Sequence, residues 1–109
     1  MVYQTGAVSV PHLETLRFQA GALADHLTSA GGDLLRKGQM SSLRWLDAGA
    51  TASYGSVSEP CNYWRKFPNS SVLLKHYLAG KTAIEAYWKS VGWPAQGVFI
   101  GEWLAAPYR

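Results

Sequence analysis

The chain alternates short apolar runs with stretches that carry helical periodicity. Met1 to Val10 leans towards β structure, interrupted at Gly6. Ser9, Val10 and Pro11 look like a helix start, with Pro11 in the first turn where its missing N–H does no harm. Leu13, Leu16 and Arg17 then predict a short helix ending near Gly21. GALADHL, residues 21–27, is a short apolar run that suits a buried strand or a helical turn, with a strand followed by a loop the favoured reading. Thr28 to Asp33 follows as turn chemistry. From Gly38 to Ala48, Met40, Leu43 and Leu46 recur every three residues, which predicts a second helix capped by Gly49. Residues 50–57, ATASYGSV, are small or β-branched and suit a strand packed on both faces.

Residues 58–70 read as a loop, with two prolines and two asparagines. A helix over 72–79 stops at Gly80. Thr82 and Glu85 form a capping-box pattern, in which each side chain satisfies the other's orphan backbone N–H. The helix they open runs to about Val91, with Ile84, Tyr87, Trp88 and Val91 at helical spacing, and Gly92-Trp93-Pro94 ends it. GVFIG, residues 97–101, is the last short strand, and residues 102–109 form an irregular tail.

Strands alternating with helices predict an α/β fold with a small, mostly parallel sheet flanked by helices. Three or four strands leave edges open unless further chain lies beside them. With 48% apolar and 16% charged residues, the chain is built to fold. It has no apolar run near the length of about eighteen that spans a membrane, and no signal-peptide pattern at its start. The net charge of +3 is spread along the chain and gives no ground for nucleic-acid binding. Five tryptophans, six tyrosines and three phenylalanines are many for 109 residues. A domain this small has little interior to hide them in. Either several face solvent or the chain expects another surface against it.

Two clusters have the ingredients of catalysis. Asp25, His26 and Ser29 supply a carboxylate, an imidazole and a hydroxyl at the carboxyl end of a strand, where open α/β sheets place their sites. Yet neighbours on a strand point to opposite faces, so Asp25 cannot orient His26 through adjacency, and the favoured reading is a hydrogen-bonded, partly buried His26 with Thr28 and Ser29 capping the loop. Glu59 and Cys61 follow the next strand, where Arg65 and Lys66 offer positive charge but no histidine is local. His12, His26 and His76 lack metal-ligand spacing, and no nucleotide-binding glycine motif is present. The expectation is therefore no metal and no cofactor. Tyr63 to Phe67 interleaves aromatic and basic residues, and reads as a loop whose aromatics pack while its charges stay in water. Tyr87, Trp88 and Trp93 read as structural.

Four phrases belong together: GALADHLTSAGG (21–32), QMSSLRWLDAGATASYGSVSEPCNYWRKFP (39–68), YLAGKTAIEAYWKSV (77–91) and WPAQGVFIGEWLAAPY (93–108). They resemble the C-terminal portion of an uncharacterised bacterial family whose longer, usually exported members occur in genomes with the PEP-CTERM sorting system. One departure is Trp103, where that family has proline. More distantly, the chain resembles gingipain-type cysteine peptidases with a caspase-like fold. Gly80, Thr82, Glu85 and Ala86 fit the start of their late helix, and Gly101 and Glu102 fit the end of their closing strand.

These resemblances imply that residues 1–109 are a single C-terminal fragment of a larger α/β domain, about half of a caspase-like one, from an exported bacterial protein. The peptidase pattern places a histidine after one strand and a cysteine after the next. Gly21–Leu27 stands in the place of the cysteine-bearing strand and ends without cysteine; the histidine-bearing strand is expected before Met1, and Cys61 comes one strand too late. No catalytic residue therefore carries over. The expected role is a non-catalytic scaffold or interaction portion. Its partner would be the missing N-terminal part of the domain or another protein, with self-association through exposed aromatics as a further outcome. The alternative is the C-terminal half of a hydrolase whose activity needs upstream residues, with Asp25, His26, Ser29, Glu59 and Cys61 along the carboxyl edge of the sheet.

Overall fold

A computed structural model describes residues 1–58 and 62–109. Four strands form one sheet in chain order: β1 (Val2–Thr5), β2 (Leu23–His26), β3 (Ala52–Ser56) and β4 (Gly97–Gly101). β1, β2 and β3 are parallel, and β4 is antiparallel to β3. The fold is thus α/β with a mostly parallel sheet.

Connection chemistry explains the one reversed strand. Both links between the parallel strands cross the same face of the sheet. The first carries a 3-10 turn at Leu13–Thr15, the second the short helix α1 (Leu43–Asp47). Between β3 and β4 the chain instead makes two helices, α2 (Ser70–Leu78) and α3 (Ala83–Ser90). A helix pair joined by a tight turn goes out and comes back. It returns the chain to the end where β3 finished, and β4 must run the other way. An all-parallel sheet would have needed a single crossing.

Two apolar layers sandwich the sheet. On one face Leu13, Ala24, Trp45 and Ala50 are buried, with Tyr3, Phe18 and Met40 packed against them. On the other, Leu23, Ala52 and Tyr54 meet Leu73, Tyr77, Ala86 and Tyr87 of α2 and α3, with Phe99 alongside. All four residues of β2 and all five of β3 are buried, as a strand covered on both sides requires.

Local signals determine the helix ends. Asn69 Oδ1 accepts from Val72 N at 3.1 Å and starts α2. Thr82 and Glu85 make the capping box of α3, with Thr82 N donating to Glu85 Oε2 at 2.9 Å. Two more first-turn donors of α3 reach the tail: Ala83 N bonds Ala105 O at 2.8 Å and Ile84 N bonds Trp103 O at 3.1 Å. Gly49 and Gly80 follow α1 and α2 with φ of 98° and 83°, the left-handed geometry that ends a helix.

Several sequence expectations are corrected. Residues 13–17 make only one 3-10 turn, because Leu16 has already turned to extended backbone. The helix expected over 38–48 shrinks to five residues, and its buried anchor is Trp45 rather than the Met40-Leu43-Leu46 stripe. In α3 the buried positions are Ala83, Ala86, Tyr87 and Ser90, and Trp88 projects away from them. The loop at 63–67 follows its expectation only in part: Phe67 is buried and Arg65 exposed, but Lys66 is only 2% exposed, its Nζ donating to Ser58 O at 2.8 Å, while Trp64 is 69% exposed.

Candidate functional site

The carboxyl end of β2 carries the described candidate residues, Asp25, His26 and Ser29. Strand alternation separates the first two, as expected. Asp25 lies on the α2/α3 side, His26 on the α1 side beside Trp45.

Asp25 is fully buried and bound from the two neighbouring strands and a helix. Its Oδ1 accepts from Tyr54 N at 2.8 Å, from the Tyr87 hydroxyl at 2.9 Å and, at 3.4 Å, from Ser53 Oγ. Its Oδ2 accepts from Gln4 Nε2 at 2.9 Å. Among the described residues no cation reaches it, and burial pushes its carboxyl up to about 6, although these four donors act in the opposite direction. The surrounding phenols stay neutral: burial pushes Tyr54 and Tyr77 up to about 12 and Tyr87 well above its ordinary value.

His26 is committed at both ring nitrogens. Nδ1 is 2.9 Å from Trp45 Nε1, which can only donate, so Nδ1 must accept. Nε2 lies 2.6 Å from the Met40 carbonyl and must therefore carry the hydrogen. This is the neutral Nε2–H tautomer. Protonation would set two N–H groups against each other at Trp45, and burial lowers the imidazole below its usual range. A ring so occupied has no lone pair for a substrate or a nucleophile.

Ser29 sits in the turn after β2. Gln39 clamps this turn: its Oε1 accepts from Thr28 Oγ1 at 2.7 Å and Ala30 N at 2.9 Å, and its Nε2 donates to Ser29 Oγ at 3.3 Å. Gly31-Gly32 then crosses β3 at very short range. A Cβ on Gly32 would lie 2.1 Å from Gly55 O, and one on Gly55 would lie 2.3 Å from Gly32 N. The Ser42 hydroxyl faces this crossing, buried and without a hydrogen-bond partner among the described residues.

Asp25, His26 and Ser29 thus do not converge: each is tied into a separate part of the framework. Glu59 and Cys61 lie outside the described residues. β1 is the parallel neighbour of β2 and ends at Thr5 without a histidine. A cleft of about 210 Å³ does open at the carboxyl end of β2, lined by Leu27, Trp64, Phe67, Pro68, Asn69 and Ser70. None of Asp25, His26 and Ser29, the described candidates, lines it. Among the described residues no cluster of three or more His, Cys, Asp or Glu side chains is placed to hold a metal ion, and no helix is long and apolar enough to cross a membrane.

The partners of Asp25 and His26 escaped sequence reasoning. Gln4 and Tyr87 at Asp25, and Trp45 at His26, are distant in the chain and belong to no motif. Tyr87 alone gave a signal, because a tyrosine inside a helix's apolar face needs a partner for its hydroxyl.

The aromatic surplus resolves towards solvent. Trp45 is enclosed, whereas Trp64, Trp88 and Trp103 are 69%, 66% and 63% exposed and Trp93 is partly so. Arg65 stacks over Trp64 at 5.2 Å, and Tyr63 meets Trp93 edge-on at 5.9 Å.

The fold and site define the class as a small α/β domain with a mostly parallel sheet. Comparison of the chain with family models, with curated proteins and with solved structures finds no match.

Proposed function

We propose that the chain is a non-catalytic scaffold or interaction portion of a larger caspase-like α/β domain in an exported bacterial protein. The observation that carries this reading is the fate of the described candidate groups: Asp25, His26 and Ser29 spend their hydrogen bonds on the fold and none lines the cleft. The exposed tryptophans supply the complementary half of the argument, since large aromatic faces left in water are characteristic of contact surfaces. The covering surface is the rest of the same domain, which also shields the open edge of β1.

A second reading, a hydrolase completed by upstream residues, draws on the cleft, since it lies where open α/β sheets bind ligands. Incubating the purified chain with a broad peptide set separates the two. The interaction reading expects no turnover; turnover abolished by Cys61→Ala overturns it. Co-producing the chain with its upstream segment should protect Trp64, Trp88 and Trp103 from acrylamide quenching. Unchanged quenching in a purified complex would rule out their role as the covered surface.

A further inference from the structure

One hydrogen-bonded network runs from the buried Asp25 to the exposed wall of the cleft. Gln4 stands on β1 in register with Asp25 on β2. Its Nε2 donates to Asp25 Oδ2 at 2.9 Å and, at 3.5 Å, to the Pro68 carbonyl. Its Oε1 accepts from the Ser70 hydroxyl. Pro68 and Ser70 line the cleft, and Ser70 opens α2. Gln4 therefore links a carboxylate closed off from water to a hydroxyl on an exposed wall.

The donor count on the carboxylate determines where a proton would go. Oδ1 already accepts three hydrogen bonds, from Tyr54 N, Tyr87 and Ser53. Oδ2 accepts one, from Gln4. A proton arriving at Asp25 therefore takes Oδ2, where it meets the Gln4 NH₂ and has no acceptor. An amide can answer this by turning over, because its oxygen and nitrogen are nearly equal in size.

We infer that Asp25, Gln4 and Ser70 form a proton-operated relay, in which protonation of Asp25 flips the Gln4 amide and reverses the hydrogen bond offered to Ser70 at the cleft. With Asp25 ionised, Ser70 donates to Gln4 Oε1. With Asp25 protonated, Oδ2–H donates to Oε1, and Nε2 donates to Ser70 Oγ. The hydroxyl hydrogen is released to the cleft, and the Pro68 carbonyl loses its Gln4 contact. Protonation takes one proton from solvent and deprotonation returns it; no covalent bond beyond O–H changes.

The other groups around Asp25 do not compete. Tyr54 and Tyr87 face it from β3 and α3, and Tyr77 stands behind Tyr87 on α2; burial keeps all three phenols neutral in this range. From β1 the facing group is the neutral Gln4 amide. His26, next along β2, points to the opposite face and bonds Trp45 and Met40. The carboxyl's displacement to about 6 places the transition within the pH range where the fold can be studied.

The test is an NMR titration of the full chain from pH 4.5 to 8. It follows the Asp25 carboxyl carbon, the Gln4 side-chain NH₂ and the Ser70 and Val72 amides. The relay requires all of them to move with one shared midpoint. In Gln4→Leu, Asp25 should still titrate while the Ser70 and Val72 signals stay flat across that midpoint. In Asp25→Asn, whose NH₂ mimics the protonated carboxyl, the Gln4 and Ser70 signals should sit at their acidic positions at every pH. A Ser70 response that persists in Gln4→Leu overturns the relay. So does a wild-type Gln4 NH₂ that stays still while Asp25 titrates. Should Asp25→Asn fail to fold, the wild-type and Gln4→Leu titrations decide the matter alone.

Discussion

Replacing Tyr87 with phenylalanine removes one oxygen from the centre of the protein and nothing else. The ring keeps its place, stacked against Tyr54 at 6.2 Å and edge-on to Phe99 at 5.3 Å, so no cavity opens. What disappears is the 2.9 Å hydrogen bond to Asp25 Oδ1. Hydrogen bonds to a charged group contribute about 1.5–3 kcal/mol, against about 1 kcal/mol between neutral partners. Asp25 is fully buried, so solvent screening does not dilute the bond.

The size of the loss should therefore depend on pH. Above pH 7, with Asp25 ionised, Tyr87→Phe should cost about 2 kcal/mol; near pH 5, with it protonated, about 1 kcal/mol. For 109 residues the larger loss corresponds to a Tm drop of roughly 9 °C. Wild-type stability carries the matching sign. The folded pKa of Asp25, about 6, is raised above 3.8, so its contribution is greatest below pH 3.8 and is lost as pH rises through 6. At about 1.4 kcal/mol per unit, that is at most about 3 kcal/mol. Urea denaturation of both proteins at pH 5 and pH 8 measures these differences. A Tyr87→Phe loss under about 0.5 kcal/mol at pH 8, or one that does not shrink at pH 5, would refute the account of Asp25 as a buried, hydrogen-bonded carboxylate.

Other consequences are equally open to measurement. His26 should remain the neutral Nε2–H tautomer at pH 6.5 in imidazole ¹⁵N spectra; its lowered pKa means that its contribution to stability is present above 6.5 and is lost as pH falls through the folded value. An imidazolium at pH 6.5 would contradict the Trp45 donation. Gly55→Ala puts a Cβ 2.3 Å from Gly32 N and 2.4 Å from Ser42 Oγ, and the crossing backbone must shift, so chemical denaturation should show a loss of about 3 kcal/mol. A stability equal to wild type would place that crossing elsewhere. Thr82→Ala removes the cap of α3 and should cost about 1 kcal/mol by thermal melt. An unchanged melt would mean that the tail carbonyls of Trp103 and Ala105 suffice to hold the helix start.

Local chemistry was legible in the sequence. The four strands, the capping box at Thr82 and Glu85, and the stops at Gly49 and Gly80 follow from propensity, periodicity and turn residues within a few positions of one another. The separation of Asp25 from His26 followed from strand alternation alone. The direction of β4 did not, although both preceding helices were anticipated. It depends on how a helix pair returns the chain, a property of packing in space.

Which aromatics are enclosed was also decided in three dimensions. Trp45 is wrapped by Tyr3, Phe18 and His26 from separate segments, whereas Trp88, with the same helical neighbours as Tyr87, turns outward. The roles of Asp25 and His26 were settled by partners up to 62 residues away. A sequence determines which groups a chain carries and which backbone shapes they favour. Whether a carboxylate or imidazole becomes reactive or is consumed as framework depends on the donors folding brings to it, and here Tyr87 and Trp45 arrive from other elements.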